Sequence, residues 1–310
     1  MNTSPKRKLA RLVAMSVKLL LGLLRRASFL AETDLSTIMI NNTERLLNLP
    51  GRLPFFPTRM TDPEKVKSLI ARLHPVTSAK ALIRLGPNGD GGYLIPDDLE
   101  GIEACFSPGV CNVAGFELDC AKMGMDVFMA DASVDKPPID HAQFKFQKKF
   151  IGSSTQGNFI SLEDWVISSS SKTADLLLQM DIEGYEYEAF LSAPSRVLER
   201  FRILVIEFHD LECLFCEPVF PLYKQVFEKL LLTHTCVHIH PNNFCTIMTV
   251  GDLELPQMAE FTFLRNDRVS NAAFARTFPH PLDFDNTDKL ACSLPKTFYR
   301  ASQSAEECPD

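Results

Sequence analysis

The chain lacks the marks of several function classes. No G-x-G-x-x-G follows any apolar run, so the pyrophosphate cradle of a dinucleotide oxidoreductase is missing. Of the nine cysteines only Cys213 and Cys216 form a C-x-x-C pair, short of the four ligands that structural zinc wants. The scattered thiols suit a reducing compartment. There is no internal repeat. No apolar run is long enough to span a bilayer: Lys18 interrupts the longest, and Leu19–Leu24 is far too short.

Acidic residues are absent from positions 1–31, which hold seven Lys/Arg. The remaining residues carry 25 basic against 39 acidic side chains, so the body is a poor general binder of nucleic acid. In KRKLARLVAMSVKLLLGLLRRASFL, Arg7, Lys8, Arg11, Lys18, Arg25 and Arg26 share one helical face. Leu9, Leu12, Val13, Leu19, Leu20, Leu23 and Leu24 share the other. Such a helix suits an anionic membrane surface, so a cytoplasmic protein with peripheral membrane contact through residues 7–30 is expected; a targeting segment is the competing reading. Asn41-Asn42-Thr43 is a glycosylation sequon, relevant only in a secretory lumen.

The expected division is an amphipathic segment at 1–34, a Pro-rich linker at 35–63 (Pro50, Pro54, Pro57, Pro63), a catalytic domain at 64–290 and a tail at 291–310. Within the domain, short apolar runs at 102–107, 126–130, 176–180, 203–208, 236–240 and 260–264 alternate with helical stretches FELDCAKMG, EYEAFLSA and VFPLYKQVFEKLLL. That alternation predicts a mainly parallel sheet covered by helices.

Four runs finish in small or ionisable residues: Ser107-Pro108-Gly109-Val110, Asp131, Asp181-Ile182-Glu183-Gly184, and Glu207 followed by His209. The carboxyl ends of parallel strands form the ligand crevice, where such groups stay solvated or meet ligand. Small residues after the first run let backbone approach a ligand, and Asp131 can accept from both hydroxyls of a ribose. A nucleoside cofactor without a pyrophosphate fits, and S-adenosylmethionine is the common example.

At LLLQMDIEGYEYEAFL the sequence resembles the FkbM-type methyltransferase family, whose hallmark is an apolar strand running into D-[IV]-E-G and then a helix. R-L-G-x-x-x-D-G-G-Y (Arg84 to Tyr93), FISLEDWV, VIEFH, VHIHPNNF and AEFTFLRND agree in order, from about residue 80 to 285. The resemblance implies a class I methyltransferase (Rossmann-like) three-layer α/β sandwich. Its seven-stranded sheet would be mostly parallel, with an antiparallel last strand. The resemblance also implies methyl transfer to an oxygen of a small or sugar-like acceptor. Family roles carry over to Gly109 (cofactor loop), Asp131 (ribose) and Asp181 (near the methionine part or acceptor). Many members have an acidic residue where Ser107 stands, and Asp90 of the D-G-G-Y motif could supply that charge.

The residues expected to meet S-adenosylmethionine are Asp90, Ser107, Gly109, Val110, Asp131, Asp181 and Glu183. Asp181 and His209 are expected to act on the acceptor, with His209 the best-placed base. The i, i+2 pairs Glu207/His209 and His238/His240, with Asp181 and Glu183, could form an oxygen/nitrogen metal site; the competing reading puts H-x-H at the sheet edge, and no metal ligand is assigned. The reading is an O-methyltransferase acting on a small hydroxylated or glycan-like molecule, not on nucleic acid. The alternative is a non-catalytic binding protein of the same fold, tethered by its N-terminal helix.

Overall fold

A computed structural model describes residues 58–300. The amphipathic segment, the sequon, most of the Pro-rich linker and the last ten residues lie outside the described residues. Pro63, counted with the linker, instead opens helix α1 (Pro63–Arg72): Asp62 caps it by accepting from the Glu64 amide at 3.0 Å. Proline at the first helical position loses no intrahelical hydrogen bond, which is why it starts this helix rather than preventing it.

The sheet strands are β1 (Ile102–Pro108), β2 (Asp126–Ala130), β3 (Phe144–Gln147), β4 (Asp175–Met180), β5 (Phe201–Phe208), β6 (His234–Pro241) and β7 (Ala259–Arg265). They lie in the order β3-β2-β1-β4-β5-β7-β6. Neighbours from β3 to β5 are parallel, and β7 runs antiparallel between β5 and β6. The fold is therefore the class I methyltransferase sandwich. All six strands read from apolar runs are present. The seventh, β3, is a short, half-exposed FKFQ edge strand whose pattern is too weak to read alone.

The remaining helices are α2 (Gly115–Lys122), α3 (Leu162–Ser169), α4 (Glu186–Ser192), α5 (Ser195–Leu198) and α6 (Phe220–Thr233). Side chains alternate across the sheet with period two. Phe106, Phe128, Leu178, Leu204 and Ile206 pack with Trp165, Phe190 and Phe227 from α3, α4 and α6. Cys105, Val127, Met129, Leu177 and Val205 pack on the other face with Phe116 of α2 and Tyr93. Fully burying each such Leu or Phe contributes about 1.5–3 kcal/mol. Leu294 and Phe298 join the first cluster, so core packing continues past residue 290. Among the described residues no helix is long and apolar enough to cross a membrane.

Candidate active site at the strand tips

The face that packs on α2 turns polar toward the carboxyl ends of the strands. Ser107 follows Cys105, Gln179 follows Leu177, and Glu207 follows Val205, each two residues on. The sheet order puts β1 between β2 and β4, so Asp131 and Asp181 flank the end of β1. The tips are zipped together: the Gly109 amide donates to the Ala130 carbonyl at 3.0 Å, and the Asp181 amide to that of Pro108 at 3.4 Å. Gly109 has φ +87°, and a Cβ there would stand 1.6 Å from the Asp181 carbonyl oxygen. Only glycine fits. Val110 is buried in the core beneath this loop.

Asp131 is buried and holds two loops. Its Oδ1 accepts from the Ser133 amide at 2.7 Å and the Ser133 hydroxyl at 2.6 Å, and its Oδ2 accepts from the Cys111 amide at 3.1 Å. Oδ2 therefore keeps lone-pair capacity for a further donor.

Ser107 Oγ lies 2.5 Å from Glu117 Oε1 and 2.8 Å from Gln179 Oε1. A hydroxyl has one hydrogen, so both bonds are made when Glu117 carries a proton. Burial pushes its carboxyl above the usual range, against the Ser107 hydrogen bond. Gln179 Nε2 donates in turn to the Tyr93 hydroxyl at 3.2 Å. Asp90 is exposed in the preceding turn, so the carboxyl beside Ser107 is that of Glu117. Nothing in the sequence pattern singled out Glu117. Its signal was only its place one turn into the helix after β1.

The D-G-G-Y motif is built to hold that turn. Arg84 donates to the carbonyls of Pro87 and Gly89, both at 2.8 Å, and a Cβ on Gly92 would meet the Pro87 oxygen at 2.0 Å. Tyr93 stacks edge-on against Phe116 of α2.

At the D-I-E-G turn, Glu183 and Gly184 both adopt positive φ, 57° and 98°. Glu186, fully buried in the first turn of α4, folds back: its Oε1 accepts from the amides of Ile182 at 3.0 Å and Gly184 at 3.2 Å. The same oxygen lies 3.1 Å from His209 Nδ1. His209 Nε2 faces Glu183 Oε2 at 3.6 Å and Asp181 Oδ1 at 3.8 Å. Asp181, Glu183 and His209 are thus brought together, and Glu186 is the member that sequence reading passed over. Burial pulls the His209 pKa down, but the Glu186 hydrogen bond and the charges of Glu186, Asp181 and Glu183 outweigh it, raising it to about 9. Burial raises Asp181 to about 6. Asp181 Oδ1 and Glu186 Oε2 are buried with no hydrogen-bond partner.

A second acidic row continues across the sheet. Glu207 stands opposite Glu260 of β7, and Glu260 opposite His240 of β6. Directly opposed like charges destabilise a sheet. Burial relieves this by favouring the protonated forms: Glu260 is pushed up to about 7, and Glu207 well above its usual range. Asn242 donates to Glu207 at 2.6 Å and Asn286 to Glu260 at 2.8 Å. His238 and His240 both face Asp283, at 2.8 and 3.6 Å, so the H-x-H pair serves the edge strand and is separate from His209. Asn243 is spent on the backbone of Thr287 and Lys289.

Residues 155–234 match the profile of the methyltransferase FkbM domain. This stretch is similar to the FkbM methyltransferase domain. The matched stretch contains the D-I-E-G turn, Glu186 and His209. Among solved structures, a candidate RNA methyltransferase from Pyrococcus horikoshii aligns at 12% identity, covering 74% of this chain and 98% of its own, with a TM-score of 0.29. No curated protein matches the chain.

Proposed function

We propose that this methyltransferase uses S-adenosylmethionine to methylate an oxygen of a small hydroxylated or glycan-like molecule. The carrying observation is the pair of carboxylates flanking β1. Asp131 retains acceptor capacity and Asp181 has a buried, unpartnered oxygen. The donor set fits the cofactor: a ribose brings hydroxyl donors, and the methionine end brings an ammonium and a sulfonium, both cationic.

Asp131 would accept from the ribose, with the backbone of Gly109 and Val110 lying beneath the cofactor. Ser107, with the Glu117 carboxyl in place of the missing acid, and Asp181 and Glu183 would face its cationic end. When bound, S-adenosylmethionine supplies an electrophilic methyl group. The chain's own residues align the acceptor and receive charge. Asp181 and His209, together at the ends of β4 and β5, are the groups assigned to the acceptor oxygen and its proton. With Glu117 at the tip of β1, Ser107 no longer argues for a non-catalytic binding protein. The acidic body favours a small acceptor over nucleic acid.

The test is calorimetry with S-adenosylmethionine and S-adenosylhomocysteine, followed by transfer of labelled methyl into small-molecule and glycan fractions. Binding in the micromolar range with a labelled product soluble in acid supports the reading. Absence of binding at about 1 mM overturns it.

A further inference from the structure

We propose that Asp181, Glu186 and His209 form a binding site for one divalent cation, with Glu183 at its solvent side. Each of the three brings a ligand atom within 4.8 Å of the other two; among the described residues no other such group of His, Cys, Asp and Glu comes together. Glu186 gives an independent sign of a ligand. It is fully buried; its Oε1 serves three nitrogens, while its Oε2 is buried with no partner. An unpaired buried carboxylate oxygen is costly and calls for a cation or a donor. Asp181 Oδ1 is orphaned in the same way, and an ion held there would leave the cofactor's ammonium to Ser107 and Glu117. The separations of His209 Nε2 from Asp181 Oδ1 and Glu183 Oε2, 3.8 and 3.6 Å, are too long for hydrogen bonds. They suit two ligands of one ion, each about 2.1 Å from it, after a shift of a few tenths of an ångström. Glu183 is exposed, with 88% of its side chain accessible, and can close or open the site.

Two carboxylates and one imidazole form a mixed oxygen/nitrogen set suited to magnesium, manganese or zinc. Resting on the methyltransferase reading, the ion's task would be to bind and acidify the acceptor's hydroxyl, which an alcohol needs and a carboxylate acceptor does not. It would thereby narrow the acceptor class to alcohols, including sugar hydroxyls.

The probe is Mn²⁺ alone, titrated into the chelator-treated full chain and followed by the electron paramagnetic resonance of the free ion. One Mn²⁺ per chain is expected. Affinity should fall at least about tenfold in Asp181→Asn and in His209→Gln. Because Glu186→Gln threatens the fold of the D-I-E-G turn, the exposed Glu183→Gln serves as the second variant, expected to weaken binding severalfold. No Mn²⁺ binding by the wild type below about 1 mM, or equal binding in all three variants, overturns the proposal. S-adenosylmethionine binding on the same metal-free sample separates the two ideas. Cofactor binding without Mn²⁺ binding sinks the ion site alone; Mn²⁺ binding without cofactor binding sinks the methyltransferase reading alone.

Discussion

Glu117 Oε1 lies 2.5 Å from Ser107 Oγ, so a helix residue places its carboxyl at the tip of β1, where the strand itself has only a hydroxyl. Glu117 holds a proton while the site is empty, and a cationic ligand end beside it would favour the carboxylate; Glu117→Gln keeps the size and the hydrogen bonding but cannot make that change. Affinity for S-adenosylmethionine and S-adenosylhomocysteine should fall about tenfold, or about 1.4 kcal/mol. Methylthioadenosine, which lacks the amino-acid end, should bind as before. Calorimetry with the three ligands decides it. If Asp90→Ala shows this pattern and Glu117→Gln does not, the charge comes from the turn instead.

Asp131 should behave differently, because the ribose is common to all three ligands. Asp131→Ala should weaken each of them by a similar factor, about tenfold or more. It should also speed amide exchange at Cys111 and Ser133, whose N–H groups lose their acceptor. Unequal losses among the three ligands would place the sugar elsewhere.

Gly109→Ala tests the closeness of the β1 loop to β4. A methyl group 1.6 Å from the Asp181 carbonyl, on a backbone at φ +87°, cannot be accommodated without moving the strand end. A destabilisation of about 3 kcal/mol or more is expected in denaturant unfolding. A variant within about 0.5 kcal/mol of wild type would mean that the loop packs differently.

His234 gives a pH signature away from the site. It is buried, with Nε2 at 2.8 Å from the Phe201 carbonyl and Nδ1 at 2.8 Å from the Thr233 hydroxyl. Burial lowers its pKa from 6.5 to about 4. Above pH 6.5 the ring is neutral folded and unfolded, and contributes no pH dependence. Below that value the unfolded chain takes the proton first, so stability falls as the pH drops toward 4, by up to about 3 kcal/mol. His234→Gln should flatten this part of the stability profile; an unchanged slope would assign it to other groups.

The sheet was legible because β1, β2, β4 and β5 are buried on both faces and read as continuous apolar runs, with polar residues only at their tips. Edge strand β3, with Lys145 between Phe144 and Phe146, carries too little apolar signal to stand out. Asp131, Asp181 and His209 were legible for the same reason: each sits just beyond an apolar run. Glu117 and Glu186 were not. Both lie in helix first turns, where acidic residues are common for reasons of the helix dipole. Only the tertiary packing turns them inward, to Ser107 and to His209.

The insertion of β7 between β5 and β6 has a consequence for biosynthesis. Until residue 265 has left the ribosome, the β7-facing edge of Phe201–Phe208 has no backbone partner, and this apolar strand is a template for pairing with other chains. A fragment cut at the end of the matched segment, at residue 234, would keep the D-I-E-G turn and His209 yet expose that edge permanently, and should aggregate rather than act as a minimal enzyme.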